Sequence, residues 1–384
     1  MPFVLRHLCC SRNAPLLDFH FHLDPVTGCS NIEVMTAHPG SVIEGRTPAA
    51  APKSVNLALQ GVGSHGAFTW GVLDRLLEEE RLAFDGISAT SAGAVNAVVC
   101  AFGLAVGGRE AAKTALSRYW RRMAAIASAS VFQPSLFDKM HGKFGLDHSP
   151  GYLFVDMLSQ FLSPYQLNPL NYNPLKDLLE EVVDFELLRR QPPVKLFVSA
   201  TNVRSGKVKV FGSEEIRADH VLASSCQPLM MRAVEIDGEH YWDGGFMGNP
   251  AIFPLIYGCQ ARDIIIVHLT PTERLENPTT SGAILTRMQE VAFNSSLMRE
   301  MRAVAFVTKL IDDGKLVDVK RMLIHSIDGE DVIGSLSNSS KMNGDWDFLM
   351  YLHKIGRERA DEWLESSFDR LGVETTIDLQ SRYL

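Results

Sequence analysis

A six-residue apolar run, VNLALQ from Val55, is followed by the glycine loop GVGSHG and then by AFTWGVLDRLLEEE. In that last segment Phe68, Val72, Leu73, Leu76 and Leu77 fall on one helical face. A second short apolar run, GISAT, ends at Thr90, and the small-residue segment SAGAVNAVVCAFGLAV begins at once. Strand, loop, helix, strand, turn, buried helix is the opening of a parallel sheet with helices on its faces.

The rest of the chain extends this α/β pattern. Residues 1–53 are short apolar fragments broken by Gly, Pro, Ser and Asn and ending in TPAAAPK, which reads as an irregular extension, with Met35 as an alternative start. The α/β region is expected over 54–275, with a helical insertion at about 108–190. VKLFVSATN returns to a strand with KVKVFG as its hairpin partner, and VEIDGEHYWDGG predicts a second hairpin turning at Asp237-Gly238. DIIIVHLT predicts another buried strand, and residues 276–384 are expected to be mainly helical, with long helices at about 281–312 and 346–371. The expected fold is a three-layer α/β/α sandwich around a mainly parallel sheet.

Such sheets place their chemistry at the ends of strands. The loop Gly61-Val62-Gly63-Ser64-His65-Gly66 follows a strand and opens a helix, so its amides are available to a developing negative charge. The same letters serve dinucleotide sites, but those need an acid after the second strand. Asp85 precedes GISAT, and Ser91 stands where the acid belongs. Ser91 lies among Ala89, Thr90, Ala92 and Gly93, small neighbours suited to a sharp nucleophile turn, although plain helix capping explains a serine there equally well. A serine nucleophile needs a base, and no histidine is well placed for one; Asp243, at a glycine turn with Gly244 and Gly245, is either that carboxylate or an ordinary turn residue. His65 is expected to be neutral and solvent-facing.

Composition narrows the classes further. A net charge of −8 without a basic cluster argues against nucleic acid as a partner, and Arg287, Arg299, Arg302 and Lys309 read as a solvated helix face balanced by Glu290 and Glu300. The six cysteines form no C-x-x-C pair, which fits a reducing, cytoplasmic setting. His20 and His22 lack a third ligand, so no metal and no cofactor is expected. The uncharged stretch from Gly86 to Gly108 is long enough to span a bilayer, yet its Ser, Thr, Asn and Gly content fits strand, turn and core helix better. Peripheral contact with a membrane and the oligomeric state stay open.

Taken jointly, the glycine loop, the serine turn and the late D-G-G resemble the patatin-like phospholipase family, over about Val55 to Pro254. The segment LASSCQPLMMRAVEIDGEHYWDGGFMGNP is similar to the family's approach to its aspartate. The resemblance implies a Ser91–Asp243 dyad, an oxyanion hole from amides around Gly63, and a phospholipid or other acyl-ester substrate. Two positions depart: Val62 stands where relatives often carry glycine, and Ala89 replaces the first glycine of G-x-S-x-G, tolerable only if its φ is negative. A catalytically impaired lipid- or partner-binding relative is the alternative that Ala89 raises, and a nucleotide-binding oxidoreductase the one the glycine loop raises.

Overall fold

The computed structural model describes residues 51–140 and 144–384; the N-terminal extension, with His20, His22 and Met35, lies outside them. The strands are β1 (Lys53–Leu59), β2 (Leu82–Ala89), β3 (Lys195–Asn202), β4 (Val208–Gly212), β5 (Val234–Ile236), β6 (Glu239–Asp243), β7 (Asp263–His268) and β8 (Leu323–Asp328). The helices that follow β1 and β2 are α1 (Gly66–Glu78) and α2 (Ala92–Ser128). Five short helices then precede β3: α3 (Leu136–Met140), α4 (Pro150–Ser159), α5 (Pro164–Leu167), α6 (Pro174–Val182) and α7 (Phe185–Arg190). Helices α8 (Ala218–Ser224), α9 (Phe253–Gly258), α10 (Ser281–Asp312), α11 (Glu330–Ser335), α12 (Trp346–Ser367) and α13 (Leu379–Tyr383) complete the set.

One sheet runs β5-β6-β3-β2-β1-β7-β8, with β4 also on β3. Its centre is parallel, while β4, β5 and β6 are joined antiparallel. Side chains alternate between faces along a strand. Accordingly, Val55, Leu57 and Leu59 of β1 with Ile265 and Val267 of β7 join the large core under α1, α2 and α12. Ala58, Ile264, Ile266 and Ile324 face the opposite side, against α9, α10 and α13. Near-continuous apolar strands with a core on each side make the sheet the middle of three layers.

β3 sets the geometry of the site. It pairs with parallel β2 from Lys195 to Val198, where Val198 stands opposite Ala89. It then pairs with antiparallel β6, where Ala200 stands opposite Asp243. The end of β2 and the end of β6 are therefore two residues apart along one strand, about 7 Å at the usual rise. The β5–β6 turn at Asp237-Gly238 has positive φ at both residues, as its sequence predicts.

One feature was not legible in the sequence. β8, in a region whose sequence reads as helical, extends the sheet beside β7. α2 is long and apolar enough by length and composition to cross a bilayer, but Gly107 and Gly108 interrupt it and its segment Gly93–Ala101 is buried in the core.

Candidate active site

β2 ends at Ala89, fully buried and outside the positive-φ region, so alanine sits there without strain. The unusual backbone falls two residues later: Ser91 has φ 55° and ψ −128°. Holding a non-glycine residue there costs on the order of 1–3 kcal/mol, so the surroundings must enforce it. They do: the Thr90 amide donates to Leu59 O at 3.2 Å, the Thr90 hydroxyl to Gly248 O at 2.6 Å, and the Ser91 amide to Ser224 Oγ at 2.9 Å. Ser91 precedes α2, yet its side chain makes no capping hydrogen bond and its backbone is not that of a cap. Helix capping therefore does not account for this serine.

The glycine loop lies directly against that turn. A Cβ on Gly61 would stand 2.0 Å from Thr90 O, so only glycine allows the approach. Gly63, at the exposed tip, has φ +53°, whereas Val62 has φ −145°; the left-handed residue is the glycine, and the β-branched valine is unstrained. Buried Gln60 anchors the loop by accepting from the Leu269 and Thr270 amides at 2.8 Å each and donating to Asn249 O at 3.0 Å. The Gly61 amide donates to Asn249 Oδ1 at 3.2 Å, and farther along the loop the His65 amide donates to Val62 O at 3.1 Å. The asparagine of the N-P pair after D-G-G thus holds the loop in place.

Asp243 is fully buried at the end of β6. Its Oδ1 accepts from the Gly245 amide at 2.8 Å, the turn bond expected of Asp before two glycines, and its Oδ2 accepts from Gln227 Nε2 at 2.8 Å. Burial pushes its pKa up to about 7, against the lowering effect of the Gly245 and Gln227 hydrogen bonds and of the nearby Ser91 side chain. The structure thus brings Ser91 and Asp243 together. Phe293 of α10 packs edge-on to Phe246, just past Gly245.

Two expectations are corrected. His65 is buried rather than solvent-facing, because Phe348 of α12 packs against its ring edge and its Nε2 bonds Ser340 Oγ at 2.7 Å. Burial, with Lys341 nearby, lowers its pKa to about 3, so it is neutral. The α10 carboxylates are not on a solvated face either. Glu290 is buried and pairs with Arg274 at 2.6 Å and Arg287 at 3.2 Å. Glu300 accepts from the Ile252 and Phe253 amides at 2.8 and 2.6 Å, at the start of α9, and burial raises its pKa to about 7.

Gln60, Ser224, Gln227, Asn249 and Gln289 were missed because amides and hydroxyls in ordinary loops carry no pattern of their own. Among the described residues, His268, Asp328 and Glu330 have ligand-type atoms within 4.8 Å of one another. The Arg382 guanidinium already pairs with both carboxylates, so the charge a cation would answer is met. Asp85, the acid nearest to a ribose-binding position, accepts from the Gln260 and Ala261 amides and is structural.

The model of the family described as patatin-like phospholipase matches residues 57–256. Among solved structures, the chain is similar to VipD from Legionella pneumophila at 16% identity and a TM-score of 0.33, covering 80% of this chain and 68% of that one. No curated protein matches it.

Proposed function

The chain belongs to the patatin-like phospholipase family, and from that premise we propose that it is a lipid acyl hydrolase with Ser91 as nucleophile and Asp243 as general base. The observation that carries this reading is the pairing of a strained, uncapped serine with a buried carboxylate whose pKa lies near 7. A base poised near the working pH is both available and strong enough to accept a proton.

In this reading Asp243 takes the Ser91 proton as Oγ attacks an ester carbonyl. The tetrahedral oxyanion is met by amides around Gly63 and by that of Ala92, at the first position of α2. As the carbon–oxygen ester bond breaks, Asp243 returns its proton to the departing alcohol. Asp243 then deprotonates a water that attacks the acyl-enzyme, and as the acyl carbon–Oγ bond breaks it returns that proton to Ser91 Oγ, releasing the carboxylic acid and restoring the ionised base. No cofactor is needed at any step. Apolar side chains exposed on and just after α4, Leu153, Phe154, Met157 and Phe161, support contact with a lipid surface. The buried free thiols Cys100, Cys226 and Cys259 fit a reducing compartment.

Ser91→Ala tests this directly. It should lower ester hydrolysis by at least about 10³-fold and abolish labelling by a fluorophosphonate while leaving the thermal midpoint near wild type. Retained turnover in that variant would overturn the assignment. The impaired-relative alternative was raised by Ala89, and a φ there outside the positive region supports an undistorted turn.

A further inference from the structure

A chain of side-chain hydrogen bonds leads away from Asp243 into the region beyond the family match. Gln227 Nε2 donates to Asp243 Oδ2 at 2.8 Å, Gln289 Nε2 donates to Gln227 Oε1 at 3.3 Å, and Lys341 Nζ donates to Gln289 Oε1 at 3.2 Å. The links come from the loop after α8, from α10, and from the short 3-10 turn Asn338–Met342. Each amide could turn over, exchanging its oxygen and nitrogen. An ammonium can only donate and a carboxylate only accept, so the two ends agree on one polarity for both amides.

We propose that Lys341 is a positioning residue for the Asp243 base, acting through the Gln289 and Gln227 amides; this rests on the Ser91–Asp243 reading. Other groups around Lys341 leave it to this task. Glu290, the carboxylate that faces it from α10, is held by Arg274 and Arg287. Arg274 repels it, and His65 on the glycine loop is neutral. Its main-chain carbonyl lies against Gly63, so the turn that carries it also abuts the oxyanion loop. The lysine pKa, lowered by burial to about 8, leaves it charged at neutral pH. Oriented in this way, Gln227 offers Asp243 a donor, which favours the ionised base and leaves the remaining carboxylate lone pairs for Ser91.

The test is the pH profile of kcat/KM for p-nitrophenyl butyrate in wild type, Lys341→Met, Gln289→Ala, the double variant and Lys341→Arg. Lys341→Met should move the acid limb up by about half a pH unit, a fall of about three-fold on that limb, with KM little changed. Gln289→Ala should do the same, the double variant no more than either, and Lys341→Arg should restore the wild-type limb. An unmoved limb, additive shifts, or an effect confined to KM would overturn the proposal. If Lys341→Met fails to fold, Lys341→Gln, which keeps a donor and loses the charge, replaces it under the same criteria. An active Ser91→Ala would refute the dyad itself, whereas an inactive Ser91→Ala with an unmoved Lys341 limb would refute only this inference.

Discussion

The two halves of the proposed dyad are held in different ways. Ser91 is framed by its neighbours in the chain, a strand that ends, a turn with one strained residue and a helix that starts, and that turn is braced by two distant groups, Gly248 O and Ser224 Oγ. Asp243 is fixed from afar, by its place opposite Ala200 and by an amide chain that reaches residue 341. The serine turn therefore leans on few groups outside its own segment, whereas the surroundings of the Asp243 carboxylate extend through a chain of residues outside the motifs.

The largest effect should come from breaking the remote half. Asp243→Asn keeps an acceptor for the Gly245 amide but removes the base, and hydrolysis should fall about 10⁴-fold. Stability separates this from misfolding. The wild-type carboxyl has a folded pKa near 7, raised from its ordinary value of 3.8, so the folded state binds the extra proton between those limits. Its contribution is fully present below about pH 4 and is lost as pH rises through about 7. The Tm of Asp243→Asn relative to wild type should therefore climb between pH 4 and 8; a flat difference would contradict the raised pKa.

Next in size is the pH dependence of the native enzyme. If the ionised fraction of Asp243 governs kcat/KM, activity should fall about fifty-fold from pH 7 to pH 5 with unit slope. A limb centred near pH 4 would mean that burial does not control the base. The smallest effect should be at the local half. Ala89→Gly restores the missing motif glycine, yet Ala89 needs no positive φ. Activity should stay within about two-fold and stability should drop by about 0.5–1 kcal/mol from backbone entropy. A large gain in kcat would show that the elbow is not self-sufficient.

This asymmetry also decides what could be read from the sequence. Elements set by neighbours in the chain were legible: β1, the glycine loop, α1, β2 and the Asp237-Gly238 hairpin all follow from periodicity and turn chemistry. β8 was not, because LIHSID mixes polar and apolar residues that distant partners satisfy. Buried His325 is met by Asp263 at 2.9 Å and by Thr376 at 3.0 Å. His65 looked like a loop imidazole because nothing nearby announces that Phe348 closes over it. Gln227, Gln289 and Lys341 were invisible for the same reason: each matters only through a partner far along the chain.

The shared edge of β3 has one more consequence, for insertions and deletions. A one-residue slip of β6 along β3 would turn the Asp243 side chain to the opposite face of the sheet, away from Ser91. The β5–β6 turn can lengthen or shorten without disturbing the dyad only if the alignment of Asp243 with Ala200 is kept. The proposed dyad thus depends on a reading frame in three dimensions: β6 serves it in one phase and not in the next.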